Sequence, residues 1–353
     1  MVIIHSFQID RLDALLQRLR SLGPFQHLAL TTCDQDNART AERLIEQADL
    51  QVKKVTLDVM ENRGRDQLPF WRVLKKAGNE SDFFVKLHLK KSSHLNQFFP
   101  QADGRDASEA WMDDIVSCIL PGEGESIQDL MGSMLDMGIG AVFPRPWPSL
   151  AYHGWGSTKE LTHAKRLCLD LGINPYTLYA PLVFPVGNMF IGRTATFLKW
   201  ADHFSQVSLY PEEPIGVSGT VLHAIERIYG FALHHQERSF AVLHPSNPSA
   251  GHLDSAGSFG RKFILFPCES SIQKPHTQAT EALHPDDSMR FYRLTTELWE
   301  EKMSLTSEIA KMHTQLNSHR SSRVLKVMDM LKRAVTLPSF RMTSTEHGKN
   351  SSG

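Results

Sequence analysis

Residues 83–89 read Phe83-Phe-Val-Lys-Leu-His-Leu89, and this stretch is the main basis for predicting the fold. Most of its side chains are apolar, which is typical of a strand buried on both faces of a sheet. Alternation along the strand predicts that Lys86, His88 and Lys90 share one face and that the two leucines between them share the other. Strands of this kind occur mainly in parallel sheets whose two faces are covered by helices.

Upstream of this strand, short β-rich runs alternate with amphipathic helical stretches. The β-α-β-α-β-α-β order predicts a mostly parallel α/β sheet with right-handed crossovers. In open sheets of this type ligands bind beyond the carboxyl ends of the strands, so the candidate binding loops follow residues 7, 32, 59 and 89. The predicted strands are Val2–Phe7, His27–Thr32, Val52–Val59 and Phe83–Leu89, and the predicted helices between them are Ile9–Leu22, Thr40–Leu50 and Pro69–Ala77.

The later part of the chain is less regular, and its pattern predicts an α/β domain over residues 1–265 followed by a linker over residues 266–285. Residues 286–335 are predicted to form a helical appendage, because apolar residues recur there every seven positions. This spacing predicts either a short coiled coil or a helix packed on the domain. Residues 336–353 are polar and predict a disordered tail. Further predicted helices are Trp111–Leu120, Ser126–Leu135, Thr162–Leu171 and Ser218–Phe231, and further predicted strands are Ile139–Phe143 and Tyr179–Phe184.

Composition excludes several classes of protein. The 353 residues include 38 Lys and Arg against 39 Asp and Glu, and this near-neutral balance argues against a protein that coats nucleic acid or anionic membranes. The four cysteines form no CxxC pair, and no apolar run approaches the roughly 18–20 residues of a membrane span. The sequence carries no serine-hydrolase elbow, P-loop or zincin motif, and its start lacks the pattern of a signal peptide. We therefore expect a cytoplasmic protein with reduced thiols.

The densest polar cluster follows the third predicted strand and reads Asn62-Arg-Gly-Arg-Asp66. The asparagine and the glycine suit a tight turn, which holds two arginines and an aspartate at the ligand-binding edge of the sheet. Guanidinium groups offer a planar fork that fits phosphate, and Lys90 and Lys91 add cations after the fourth strand. Together these side chains suit a diphosphate. The alternative is a solvated turn with an Arg–Asp ion pair.

Four blocks of residues carry a resemblance to a known family. In their order, and over about residues 1–240, they resemble the rhamnan synthesis protein F family. The resemblance implies a glycosyltransferase that transfers rhamnose or a related deoxysugar to a bacterial cell-surface polysaccharide, with a dTDP-sugar as donor and a growing glycan as acceptor. The blocks are Asn62-Arg-Gly-Arg-Asp66, Lys86-Leu-His-Leu-Lys-Lys-Ser92, Phe184-Pro-Val-Gly-Asn-Met-Phe-Ile-Gly-Arg193, and Glu212-Glu-Pro followed by Ser218-Gly-Thr-Val-Leu-His-Ala-Ile-Glu-Arg227.

By analogy, the predicted sheet is similar to the Rossmann-like nucleotide half of a GT-A glycosyltransferase. In such folds an acidic residue after the second strand commonly meets the base or the ribose, which makes Asp34 and Asp36 candidates. A DxD metal motif is common after the fourth strand, but His88 and its basic neighbours stand there in this chain. We therefore expect no obligatory cofactor and no obligatory metal, although the analogy allows a divalent ion. The candidate nucleotide-sugar-binding residues are Asp34, Asp36, Asn62, Arg63, Arg65, Asp66, His88, Lys90 and Lys91.

Carboxylates in a later segment are candidate catalytic groups. Glu212 and Glu213 lie in a proline-flanked loop, where a general base is accessible to substrate. Inverting glycosyl transfer needs one carboxylate that takes the proton of the acceptor hydroxyl. Loop glutamates are more commonly only solvated, and this alternative stays open.

Further polar candidates follow the two remaining blocks. In the helix predicted over Ser218–Phe231, His223, Glu226 and Arg227 fall on one polar face, with Glu226 as a third candidate base. This face either lines an acceptor groove or forms a surface ion-pair network. Asn188 and Arg193 are candidate contacts to the acceptor or to phosphate, because they follow an apolar strand in a turn-forming segment.

One position departs from the family pattern, because Ser218-Gly-Thr stands where Asp-Gly-Thr is expected. Serine is a good helix N-cap, so the fold tolerates the change, but a catalytic aspartate would be missing. The alternative function is a catalytically inactive glycan- or nucleotide-sugar-binding subunit of a polysaccharide assembly complex. We expect the C-terminal helix to mediate self-association, docking or peripheral contact with the inner face of the plasma membrane, and we expect no nucleic-acid partner.

Overall fold

The computed structural model of the chain describes residues 1–89, 106–122, 126–145, 157–175, 178, 183–216, 219–243 and 263–266. Within these ranges, eight strands belong to one mixed sheet, and the fold is α/β. The strands are β1 (Val2–Ser6), β2 (Phe25–Thr32), β3 (Val52–Val59), β4 (Phe83–Leu89), β5 (Ile139–Pro144), β6 (Phe190–Arg193), β7 (Ser239–Leu243) and β8 (Phe263–Phe266).

The first four strands run parallel to one another. β1 pairs with β2 on one side and with β4 on the other, so Ile4 lies between Leu30 and Leu87. β6 lies antiparallel between β4 and β5, and β8 pairs antiparallel with β7. The resulting order is β3-β2-β1-β4-β6-β5-β7-β8. The strands β2 and β3 lie on one side of β1, and β4 lies on the other side, so the direction in which strands are added reverses at β1. Ligand crevices of α/β sheets lie at such reversals, at the carboxyl ends of the strands.

Helices cover both faces of the sheet. One face packs against α1 (Leu12–Leu19), α2 (Gln35–Gln47), α4 (Ala107–Ile119) and α5 (Ile127–Asp136). The other face packs against α3 (Gln67–Ala77), α6 (Thr158–Asp170), α7 (Thr194–Phe204) and α8 (Val221–His235). In the ranges that the structure describes, none of these helices combines the length and the apolarity that a bilayer crossing needs.

The structure confirms the predicted alternation of strands and helices through β4. The bounds of β3 and β4 agree with the prediction, and the other elements differ by a few residues. The largest early difference is α2, which begins at Gln35 rather than at Thr40. Asp34 accepts a hydrogen bond from the Asn37 backbone N–H at 2.7 Å, so Asp34 is the N-cap of this helix.

Later elements depart further from the prediction. The helix α7 was not predicted, because its sequence is rich in threonine and aromatic residues, which form helices less readily than leucine or alanine. The strand β8 was not predicted, and it ends one residue inside the predicted linker. The helix predicted to begin at Ser218 is α8, and it begins at Val221 in the structure. Most of the predicted strand Tyr179–Phe184, the predicted helical appendage over 286–335 and the tail over 336–353 lie outside the described residues.

An aromatic cluster fills the space between the sheet and the helices of the second face. Phe84 of β4 packs against Phe70 at 5.2 Å and against Phe197 at 5.1 Å between ring centroids. Gly192 of β6 allows this packing, because a Cβ atom at that position would lie 2.5 Å from the Phe84 ring. The neighbouring strands therefore approach closely where the sheet changes from parallel to antiparallel pairing.

We predict that Gly192→Ala destabilises the protein. The added methyl group has no space beside Phe84 and Phe197, and overpacking of this kind costs about 1–3 kcal/mol. The matched control is Gly132→Ala in α5, where nothing lies within 4 Å of the added atom, and alanine there increases stability by up to about 1 kcal/mol. Urea denaturation of both variants measures the difference, and equal stabilities would contradict the described packing.

Candidate functional site

Lys86 lies at the centre of a buried polar cluster beside the carboxyl end of β4. Its side chain is only 1% exposed, and its ammonium group contacts Asp66 Oδ2 at 2.7 Å. The same Nζ atom donates to the backbone oxygen of Asn188 at 2.6 Å. Burial lowers the pKa of Lys86, and the Asp66 carboxylate opposes that shift. A buried ammonium group persists in a fold only when partners of this kind neutralise it.

Three chain segments bring these partners together. Asp66 directly precedes α3, and Asn188 lies in the turn that leads into β6. The Asn188 side-chain amide also donates to Asp66 Oδ2, so the carboxylate holds two donors. Gly187 and Asn188 both adopt positive φ angles, of 88° and 55°. Glycine is needed at position 187, because a Cβ atom there would lie 2.8 Å from both Trp111 and Ile115.

Glu226 adds a second carboxylate from α8. It is half-buried, and its Oε1 atom accepts a hydrogen bond from the Gly187 N–H at 3.0 Å. Burial raises the pKa of Glu226 to about 7. Asp66 acts in the same direction, while Arg227, the Gly187 N–H and Lys86 favour the ionised form. Glu226 can therefore take up or release a proton near neutral pH. We refer to Asp66, Lys86, Asn188 and Glu226 as the Lys86 cluster.

Two histidines lie beside the Lys86 cluster on the same face of the sheet. His88 Nε2 lies 2.6 Å from the Gly187 backbone oxygen, so this nitrogen carries the hydrogen. His5 is opposite His88 in the pairing of β1 with β4, and its Nδ1 lies 2.9 Å from Thr31 Oγ1. Burial lowers the pKa of His5 to about 4, reinforced by His88 and Lys86 and opposed by Asp66. His5 is therefore neutral at pH 7.

The arginines predicted to bind phosphate contact a loop that contains the predicted catalytic carboxylates. Arg63 lies 3.6 Å from Glu212, and Arg65 lies 3.3 Å from Glu213. Both guanidinium groups also donate to backbone oxygens, Arg63 to Tyr210 at 3.0 Å and Arg65 to the loop residue two positions after Glu213 at 2.7 Å. The alternative of an Arg–Asp pair within the turn is wrong, because Asp66 pairs with Lys86 instead.

The predicted polar face of α8 is divided between two environments. Arg227 forms a buried ion pair with Glu160 of α6 at 2.8 Å, and the Glu160 side chain is 0% exposed. His223 contacts Thr220 Oγ1 through Nδ1 at 2.7 Å, whereas Glu226 faces the Gly187 turn. A surface ion-pair network is therefore wrong. Consecutive residues of a helix diverge by about 100°, so Glu226 and Arg227 reach different neighbours.

The remaining candidates that the structure describes lie away from the Lys86 cluster. Asp34 caps α2, and Asp36 is exposed and pairs with Arg39 of the same helix. Asn62 is exposed in the turn that follows β3. Arg193 lies opposite Phe83 in the pairing of β4 with β6. It therefore lies at the amino-terminal end of β4, away from the carboxyl ends of the parallel strands. Lys90, Lys91 and Ser218 lie outside the described residues.

Sequence reasoning missed several residues of this site. Lys86 was placed on the correct face but was not selected, although a charge inside an apolar strand is the signal that marks it. His5 and Glu160 carried no signal of their own, because their partners lie far away in the chain. In the part of the chain that the structure describes, no three His, Cys, Asp or Glu side chains converge as metal ligands.

Sequence comparisons match the first two thirds of the chain to a protein family and to two relatives. The sequence model described as Rhamnan synthesis protein F matches residues 1–238. The chain is also 27% identical over 236 residues to two proteins named Uncharacterized protein WxcX, from Xanthomonas campestris pv. campestris strains B100 and ATCC 33913. The alignment covers 66% of this chain and 31% of each relative, so the chain spans less than one third of their length.

We predict that Lys86→Met destabilises the protein by about 3–5 kcal/mol, because it leaves the Asp66 carboxylate buried without its cation. The double variant Lys86→Met/Asp66→Asn recovers much of that loss, since it removes both charges. Lys76→Met is the control, because Lys76 pairs with Asp58 on the surface, where such pairs contribute about 0–1 kcal/mol. Urea denaturation of these variants and of Asp66→Asn gives the four values, and a loss in the double variant equal to the sum of the two single losses would show that the two groups do not interact.

Proposed function

Because the chain belongs to the rhamnan synthesis protein F family, we propose that it acts in the synthesis of a rhamnose-containing bacterial polysaccharide. Within that process, we propose that it is a glycosyltransferase that uses a nucleotide-sugar, with dTDP-rhamnose or a related dTDP-deoxysugar as donor. The observation that supports this most directly is the Lys86 cluster, because it joins a proton-accepting carboxylate to polar partners at the carboxyl edge of an α/β sheet.

The proposed reaction is a displacement at the anomeric carbon of the donor sugar. A hydroxyl oxygen of the glycan acceptor forms the new C–O bond, and the bond between that carbon and the diphosphate oxygen breaks. The electron pair leaves with dTDP, and the hydroxyl proton passes to a general base. Glu226 suits that role best, because burial brings its pKa close to neutral, whereas the Glu212 side chain is 83% exposed.

The donor diphosphate is proposed to bind at the turn that carries Arg63 and Arg65. These guanidinium groups contact Glu212 and Glu213 in the structure, and a diphosphate offers a stronger, bidentate partner. Lys90 and Lys91 stay candidates for the same ligand, and Asp34 and Asp36 for its base or ribose. Lys86 and the hydrogen-donating His88 do not suit a divalent cation, because both offer hydrogen-bond donors rather than oxygen ligands.

A second function is a binding subunit that holds the sugar ligand without transferring it. Two observations favour it. The sequence carries Ser218 where the family pattern has aspartate, and both Arg63 and Arg65 have carboxylate partners within the protein. This subunit would bind nucleotide-sugar or glycan for a partner enzyme in the same assembly.

We predict that the purified full-length protein binds dTDP-rhamnose and releases dTDP when a rhamnose-containing acceptor is added. A thermal-shift panel of dTDP-, UDP- and GDP-sugars measures binding, and chromatography of the nucleotide products measures turnover. Binding without dTDP release would support the inactive subunit, whereas the absence of a response to every donor would contradict the glycosyltransferase and leave only a subunit that binds glycan.

We predict that kcat/KM for transfer rises with pH, by about tenfold for each pH unit below 7, and levels above it. The reason is that Glu226 accepts a proton only when ionised, and burial raises its pKa to about 7. Glu226→Gln lowers kcat by about 10²–10⁴-fold and removes this step from the profile. The control Glu42→Gln changes an exposed carboxylate of α2 and leaves the profile unchanged. An unaltered profile in Glu226→Gln would assign the base elsewhere.

A further inference from the structure

The side-chain amide of Asn188 has one satisfied end and one unsatisfied end. Its Nδ2 group donates to Asp66, and an ionised carboxylate can only accept, so the orientation of the amide is fixed. The opposite atom, Oδ1, is buried and has no hydrogen-bond partner among the described residues, in a side chain that belongs to a residue only 3% exposed. Leaving a buried acceptor without a donor is energetically unfavourable, so this oxygen suits a hydrogen-bond donor supplied by a ligand.

The charges around this oxygen oppose an anionic ligand. Asp66 and Glu226 contribute two carboxylates, while Lys86 is already paired with Asp66. Among the described residues, Arg227 is a further cation that acts on Glu226, and it is paired with Glu160, which adds a third carboxylate. A diphosphate at this position would meet more negative than positive charge. Carboxylate and amide oxygens instead accept hydrogen bonds from hydroxyl groups.

The backbone holds these acceptors in fixed positions. The turn at Gly187 and Asn188 is confined by Trp111 and Ile115 on one side. Its backbone groups bond to Lys86, His88 and Glu226 on the other side. Such a turn cannot move the Asn188 amide toward another protein donor without breaking these contacts, so the acceptor set is preorganised for a ligand.

We infer that the Lys86 cluster binds the hydroxyl groups of a neutral sugar ring, through Asn188 Oδ1 and the Glu226 carboxylate, and excludes the diphosphate of the donor. The inference rests on the proposed function, since it assigns the sugar and the diphosphate of that reaction to different parts of the sheet edge. The hydroxyl groups belong either to the glycosyl ring of the donor or to the acceptor glycan, and the two sources are separable by experiment.

Isothermal titration calorimetry of the full-length protein with three ligands tests this inference. The ligands are dTDP, dTDP-rhamnose and a neutral rhamnose oligosaccharide without nucleotide. We expect Glu226→Gln and Asn188→Leu to weaken sugar binding by about tenfold, which corresponds to about 1.4 kcal/mol, because each removes a hydrogen-bond acceptor or its charge. We expect binding of dTDP alone to change by less than about twofold. Loss of oligosaccharide affinity identifies the acceptor glycan, and loss of the advantage of dTDP-rhamnose over dTDP identifies the donor ring.

The control and the contrary outcomes are distinct. Glu42→Gln removes a comparable charge from the surface of α2 and leaves all three affinities unchanged. Glu226→Gln keeps the size of its side chain and so keeps the test valid if Asn188→Leu fails to fold. Equal losses for dTDP and for the sugars, or no sugar-dependent binding by the wild type, would overturn the inference. Sugar binding without any transfer would overturn the proposed enzyme and leave the inference standing.

Discussion

The burial of the Lys86 ammonium group is the constraint that organises the carboxyl edge of the sheet. A cation 1% exposed within a strand requires a carboxylate and further acceptors at hydrogen-bond distance. Asp66 and the Asn188 carbonyl supply them, and each comes from a different connection between strands. The same turn contains Gly187, whose backbone N–H donates to Glu226. The turn that helps to neutralise Lys86 therefore also positions the proposed base.

Much of the parallel half of the fold was predictable, because each strand and helix there carries its own local pattern. β3 and β4 agree with their predicted bounds, and the alternation in β4 correctly placed Lys86 and His88 on one face. The antiparallel strand β6 was not predicted as a partner of β4, because four residues are too few for a periodic signal. Its position depends on Gly192, which admits the Phe84 ring, and such a fit is visible only in three dimensions.

The candidate site was predictable only in part, for a related reason. The residue types of the first and third blocks pointed to Asp66 and Asn188, but their contact could not be derived from spacing. The helix pattern placed Glu226 and Arg227 on one polar face. In the structure Arg227 pairs instead with the buried Glu160 of α6, a residue that the sequence pattern did not connect to α8. Positive and negative charges also balance locally, because Arg63 forms an ion pair with Glu212 and Arg65 forms one with Glu213.

The separation of the cluster's members along the chain has a consequence for synthesis on the ribosome. Asp66 and Asn188 lie 122 residues apart, and Lys86 and the Asn188 carbonyl lie 102 residues apart. Contacts between such distant residues form only after the intervening chain has emerged, and they slow folding. A nascent chain that has formed β1–β4 therefore still carries Lys86 without its full set of partners, and the cluster is complete only after the segment through α8 has emerged.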